Sequence, residues 1–156
     1  MRVILSGLLL LSLIGINEPG AVACTCVFYS HRRDFRHARM VFSGIVLKIA
    51  SNNTDDPEFA RDLPYTVTFR VLKSWKGSAR SELLVYTDNG LGGCGGTKFQ
   101  IDEQHVVYVD DYEGKLDAST GCRRTRVIGP KNEESDKEIR QLNSRWFRVW
   151  SRIWLF

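Results

Sequence analysis

Polar and apolar residues alternate most regularly between Tyr65 and Val71, where Tyr65, Val67, Phe69 and Val71 are separated by Thr66, Thr68 and Arg70. A period of two predicts a strand with one face in a core and the other in water. Trp75-Lys76-Gly77 closes this stretch. Val41–Ala50 is a nearly continuous apolar run with Gly44 inside it, which predicts a long strand that bends or bulges at the glycine. Glu82–Thr87, Lys98–Ile101, His105–Asp110 and Lys115–Ala118 predict further strands, and Arg123–Ile128 a last extended piece before Gly129-Pro130. Turn residues at Asp102-Glu103-Gln104 and Tyr112-Glu113-Gly114 separate them, and Ser51–Pro64 reads as a polar loop. Five or six short strands at this spacing point to a small antiparallel barrel or sandwich.

Two segments carry a helical pattern instead. Ser30–Met40 is polar and basic, without Gly or Pro, and predicts a short helix. Ser135 with Glu138 three residues on reads as a capping box, followed by apolar Ile139, Leu142, Trp146, Trp150, Ile153 and Trp154 at helical spacing. Arg140 precedes a basic side made of Arg145, Arg148 and Arg152. The stripe suits a helix packed on the barrel; the rival reading is a basic amphipathic helix lying on a membrane surface.

The first residues change what the composition means. Arg2 is followed by a mostly apolar run from Val3 to Ile16, then Asn17-Glu18-Pro19-Gly20 and Ala21-Val22-Ala23. This pattern is that of a secretory signal with an Ala-x-Ala cleavage site, and its 14-residue apolar run falls short of the ~20 residues that span a membrane. Cleavage after Ala23 leaves 133 of the 156 residues, a net charge still of +4, and all four cysteines. The chain is therefore divided as 1–23, a cleaved signal; 24–130, the barrel; and 131–156, the amphipathic helix. A secreted location, extracellular or periplasmic, follows, with the cysteines in disulfides. Acylation of Cys24, as in a lipoprotein, is the rival fate of the junction. Asn52-Asn53-Thr54 is a glycosylation sequon that acts in a eukaryotic source.

Cys24, Cys26, Cys94 and Cys122 allow three pairings, of which Cys24 with Cys26 closes too small a ring for relaxed disulfide geometry. Both remaining pairings staple the first three mature residues to two distant points of the chain. Each bridge stabilises the fold, and together they hold the terminus that most domains leave frayed. A zinc site built from the four thiols lacks paired C-x2-C knuckles. His31 and His37, beside arginines, and His105, at the start of a strand, read as surface residues and do not complete one. The glycine-rich Asp88–Gly96 segment lacks the Lys-Ser/Thr of a phosphate loop. No Ser/His/Asp order, carboxylate pair or metal triad marks an enzyme, no cofactor is called for, and secretion argues against nucleic acid as a partner.

A secreted chain beginning Cys24-Thr25-Cys26-Val27, followed by a short helix, a set of barrel strands and a closing helix, resembles the N-terminal domain of the tissue inhibitors of metalloproteinases, within the netrin-like family. The resemblance extends over most of Cys24–Ile128. It is carried also by Phe35, by Val71-Leu72-Lys73-Ser74-Trp75-Lys76-Gly77, by Val85-Tyr86-Thr87 leading to Cys94-Gly95, and by Gly121-Cys122. It implies a mainly β fold: a five-stranded OB-type Greek-key barrel with a short N-terminal helix and a C-terminal helix. It further implies bridges Cys24 to Cys94 and Cys26 to Cys122.

By the same resemblance, the α-amine and carbonyl of Cys24 chelate the catalytic zinc of a target protease. Such a zinc keeps an open coordination position, and an α-amine of pKa about 7.7 to 8 supplies a lone pair near neutral pH. Thr25 would enter the pocket beside the zinc, and Val27, Phe28, Leu91, Gly92 and Gly93 would complete the wedge. The chain departs from the family at Arg36, where a further cysteine would stand, and in lacking the cysteine-rich second half. The implied function is a monomeric, secreted inhibitor of zinc metalloproteases. The alternative is a netrin-like binding module for an anionic polysaccharide, a membrane surface or a protein, engaging it through Arg140, Arg145, Arg148, Arg152, Trp146, Trp150 and Trp154.

Overall fold

The computed structural model describes residues 30–78, 80–90, 98–118, 123–130 and 132–144. The described elements are α1 (His31–His37), β1 (Met40–Ser51), α2 (Pro57–Asp62), β2 (Tyr65–Lys76), β3 (Glu82–Thr87), β4 (Gln104–Tyr112), β5 (Lys115–Asp117), β6 (Arg126–Val127) and α3 (Glu133–Asn143). The chain is mainly β, with a closed five-stranded barrel and a few helices. β1 pairs with β2 and β4, β2 with β3, β3 with β5 and β5 with β4, so the sheet returns on itself. All pairs are antiparallel except β3 with β5. β6 lies along the first half of β4, beyond the reach of β5.

The alternating residues of Tyr65–Val71 behave as their pattern requires. Val67 and Phe69 are fully buried in the barrel with Phe42, Val46, Val85, Phe99, Val107 and Val109. Phe69 meets the edges of Phe42 and Phe99 at 5.4 and 5.3 Å. A second apolar cluster lies outside the barrel wall, where Phe35 and Ala38 from the α1 region and Leu142 of α3 cover Val41, Val106 and Tyr108. Gly44 sits at a register shift between β1 and β2, and a Cβ there would lie 2.9 Å from the Arg70 carbonyl oxygen. The missing side chain lets β1 bend against β2, as the interrupted run predicts.

Several expectations are corrected. The polar loop 51–64 contains α2, capped by Asp56, whose side chain accepts from the Glu58 and Phe59 N–H groups, with Pro57 in the first turn. Asn52 closes this segment by donating from Nδ2 to Leu63 O at 2.8 Å. Phe59 is buried under Tyr86 and Tyr112, and the Lys115 ammonium lies 3.5 Å from its ring centre. Lys98–Ile101 is not a strand. Phe99 turns into the core with its N–H on Asn89 Oδ1 (2.8 Å), and Asp102 takes φ 67°. β2 continues through Trp75 and Lys76 and stops only at Gly77, whose φ is +78°.

His105 is not a surface residue. It is fully buried, 4.9 Å from the Phe99 ring centre, with Nε2 3.3 Å from Glu103 Oε2. Burial lowers its pKa to about 4.

Two measurements check this account. Gly44→Val is expected to lower stability by about 1–3 kcal/mol, because the added atoms press on the Arg70 carbonyl and backbone must move. An unchanged urea midpoint would remove the close approach as a constraint. His105 must gain a proton on unfolding below its ordinary pKa of about 6.5, so its contribution is complete above that pH and is lost as the pH falls towards 4. The depression corresponds to about 3 kcal/mol. Stability measured from pH 7 to 4 should fall less steeply in His105→Leu than in the natural chain, and parallel curves would clear His105 of the effect.

Candidate functional site

The residues expected to act, Cys24, Thr25, Cys26, Val27, Phe28, Leu91, Gly92, Gly93 and Cys94, and the remaining cysteine Cys122, lie outside the described residues. So do Arg145, Trp146, Arg148, Trp150, Arg152 and Trp154. What the structure positions is the chain on either side of the cysteine-bearing segments, and these flanks are held by a set of polar contacts.

The first flank is α1. Ser30 caps it, and its last turn is fixed by a side chain from another element: Lys76 Nζ donates to Phe35 O (2.9 Å), Arg36 O (2.8 Å) and Ala38 O. A cation at the C-terminal carbonyls is favourable both as a hydrogen-bond donor and against the helix dipole. Burial lowers the Lys76 pKa, with Asp110 opposing the shift. Lys73 and Trp75, on the same strand, hold the last residue of α3 through its side chain. Trp75 Nε1 donates to Asn143 Oδ1 at 3.0 Å and Lys73 Nζ donates to the same oxygen. Ser74 Oγ donates to Lys76 O (3.2 Å) and Gly77 O (3.0 Å), and Gly77 itself leaves no room for a Cβ, which would stand 2.8 Å from Met40 Cγ. Each residue from Lys73 to Gly77 thus has a packing or capping role.

The second flank is the chain that follows Cys122. Arg123 pairs with Asp34 of α1 (3.4 Å) and with Asp110 of β4. Arg124 pairs with Asp34 (3.4 Å) and with Glu138 of α3 (3.1 Å). Glu138 also accepts from the Tyr108 hydroxyl and lies 2.8 Å from His31 Nδ1. Asp34 and Glu138 are each 2% exposed. Burial raises the Asp34 pKa above the usual carboxylate value, and Arg123 and Arg124 only partly offset it. Burial pushes Glu138 the same way, but hydrogen bonds from His31 and Tyr108, with the charge of Arg124, outweigh it and carry its pKa below the ordinary value. The Tyr108 pKa is raised, first by burial and then by Glu138.

The third flank is the base of the Cys94 loop. Thr87 Oγ1 accepts from Asn89 N (2.9 Å), Asp88 Oδ1 accepts from Gly90 N (3.2 Å), and Asn89, at φ 48°, accepts from Phe99 N across the loop's mouth. This base is joined to the chain leading towards Cys122, since Ala118 N donates to Tyr86 O at 2.8 Å and β5 pairs Asp117 with Asp110 of β4. A continuous series of contacts therefore runs from Asn89 through Ala118 and Asp110 to Arg123 and Asp34.

Sequence reasoning missed this network. His31, expected at the surface, has 11% of its side chain exposed and faces Glu138. His37 is exposed, as expected. Glu138, expected to close a capping box with Ser135, points inward. The cap is Asn132, whose side chain accepts from Ser135 N, so Ser135 falls within the first turn. α3 ends at Asn143 with Ser144 in an extended conformation, and Arg140 is exposed on it. Arg123–Ile128 forms a strand only at Arg126–Val127, because Arg123 and Arg124 are drawn to carboxylates of other elements. One signal was present: Asp34 is the lone acid in an otherwise basic helix.

Among the described residues, no group of three or more His, Cys, Asp or Glu side chains is placed to hold a metal ion. No model of a known protein family matches the chain, and no curated protein matches it at a significant level.

Arg124→Met strips the cation shared by two buried carboxylates. The expected cost is about 2 kcal/mol, below the 3–5 typical of a fully buried pair because 27% of the Arg124 side chain is exposed. Adding Glu138→Gln should recover part of it. A single variant as stable as the natural chain in urea would show that the pairing carries no weight.

Proposed function

We propose that this chain is a secreted inhibitor of zinc metalloproteases that acts through the α-amine and carbonyl of Cys24, on an OB-type Greek-key barrel. The barrel order β1-β2-β3-β5-β4-β1, closed by the parallel β3–β5 pair, is consistent with an OB-type connectivity. The observation that best supports the inhibitory reading is that the flanks are linked by contacts. The helix that follows Cys24-Thr25-Cys26, the mouth of the Cys94 loop and the chain on both sides of Cys122 belong to one connected series of contacts. Bridges of Cys24 to Cys94 and Cys26 to Cys122 need those three segments to be neighbours.

The chemistry then follows from position. A two-point chelator replaces the water on a catalytic zinc only if its amine is unprotonated and its orientation is already fixed. Two bridges within three residues remove the freedom that binding would otherwise have to freeze. Thr25 offers a side chain small enough to pass the zinc into the adjacent pocket, while Phe28 and Leu91–Gly93 would rest on either side.

The second reading, a binding module for anionic polysaccharide or membrane surfaces, is favoured by Arg32, Arg33 and Arg36, all exposed on α1, with Arg140 exposed on α3.

The test is made on the secreted chain. Its mature N-terminus is expected at Cys24, unacylated, and it should inhibit a broad-specificity zinc endopeptidase. One alanine added before Cys24 moves the amine off the metal and should weaken inhibition by at least about 100-fold with an unchanged circular dichroism spectrum. Equal inhibition with and without the alanine, or a start elsewhere, overturns the mechanism. Retention on immobilised heparin at physiological salt without inhibition of any zinc protease would favour the binding module.

A further inference from the structure

β3 is fully paired along one edge and only partly along the other. Val85 and Leu83 pair with Val67 and Phe69 of β2, and the Val71 N–H to Ser81 O bond (2.9 Å) continues that register. In an antiparallel ladder the groups directed at the partner strand alternate along the chain, so the odd-numbered residues of β3 bond to β2 and the main-chain N–H and C=O of Glu82, Leu84 and Tyr86 point away from it. At Tyr86 they meet β5, whose following residue Ala118 donates to Tyr86 O. Tyr86 with Asp117 is the single β3–β5 pair among the described residues. Upstream of it no β3–β5 pair forms among the described residues, and Glu82 and Leu84 face a seam.

The seam is a cleft of about 570 Å³. Met40, Leu83 and Leu116 line it and pack against the barrel core, and Leu84, 47% exposed, stands at its side. Arg39, Arg80 and Glu82 also line it. Arg39 is paired with Asp111, whereas Arg80 and Glu82 have no ion-pair partner among the described residues. Unpaired strand edges take up added strands: main-chain bonds supply affinity and pockets for alternate side chains supply selectivity.

We propose that this seam is a docking site for an extended peptide segment of a partner protein, which pairs with Glu82 and Leu84, sets an apolar side chain over Leu83 and Leu116, and places a carboxylate at Arg80. The occupant is a peptide because the open groups are the alternating N–H and C=O of a strand edge; a carboxylate is called for only at Arg80, the cation without an ion-pair partner there, while Glu82, which also lines the cleft, disfavours a second one. The site lies at the end of β3 opposite the Cys94 loop and does not depend on zinc chelation.

The experiment uses the mature chain labelled with nitrogen-15 and, as probe, the blocked hexapeptide acetyl-Asp-Val-Thr-Val-Thr-Val-amide at up to millimolar concentration. The Glu82 and Leu84 amides should shift on titration and exchange with solvent more slowly in the complex. The same peptide N-methylated at alternate residues, which cannot pair, should bind at least about tenfold more weakly, as should the natural peptide to Arg80→Glu. Leu84→Pro deletes an N–H that faces the seam and not β2, so it should keep a dispersed spectrum and lose the peptide. If that variant fails to fold, Arg80→Glu and the N-methylated peptide carry the test. Equal binding of the two peptides, or no response at Glu82 and Leu84, overturns the proposal. So does slow exchange of those two amides in the free protein, which with a doubled molecular mass would place a second copy in the seam.

Discussion

Asp34 and Glu138 are buried carboxylates on two different helices, and the attachment of both helices to the barrel depends on satisfying them. A carboxylate out of water is costly unless it is paired and fully hydrogen-bonded. Here the partners come from every neighbouring element: Arg123 and Arg124 from the chain before β6, Tyr108 from β4, and His31 from the first turn of α1. Helices of 7 and 11 residues have little stability of their own. Their apolar faces, Phe35 on one and Leu142 on the other, supply the attraction to the barrel wall, and the ion pairs fix where along the wall they sit.

The same economy governs the end of β2. Its register with β1 skips Leu72 and Trp75, as Val41 is opposite Lys76 and Phe42 opposite Ser74, then Ser43 opposite Lys73 and Gly44 opposite Val71. Each extra residue breaks the strict alternation of faces, so that Lys73, Trp75 and Lys76 can all serve the outer side, where both helices end. The motif Lys73–Gly77, one of the points of resemblance to the metalloproteinase inhibitors, is thereby accounted for by packing and capping. The proposed inhibition would rest on other residues, above all on the position of Cys24.

β3 divides the molecule's two proposed surfaces between its ends. At Thr87–Asn89 it is fully engaged by Ala118 and Phe99, which gives the Cys94 loop a rigid base. At Glu82–Leu84 it parts from β5, because β5 is three residues long and begins in a tight turn at Glu113-Gly114, with φ 52° and 79°. A short closing strand both completes the barrel and leaves its seam open.

By itself the sequence determined most of the strands, since an alternation such as Tyr65–Val71 can bury one face only as a strand, and it determined the bend at Gly44. These are properties of neighbours along the chain. α2 was legible in principle from Asp56-Pro57 but hidden by its polarity. The tertiary structure alone decided the closing of the barrel by the parallel β3–β5 pair, the burial of His105 and the inward turn of Glu138. It alone joined α1 to residues 89 positions away through the Arg123–Asp34 pair. The reason is physical: whether a charged or polar side chain faces water or a partner depends on what distant segment arrives beside it, and no local pattern records that arrival.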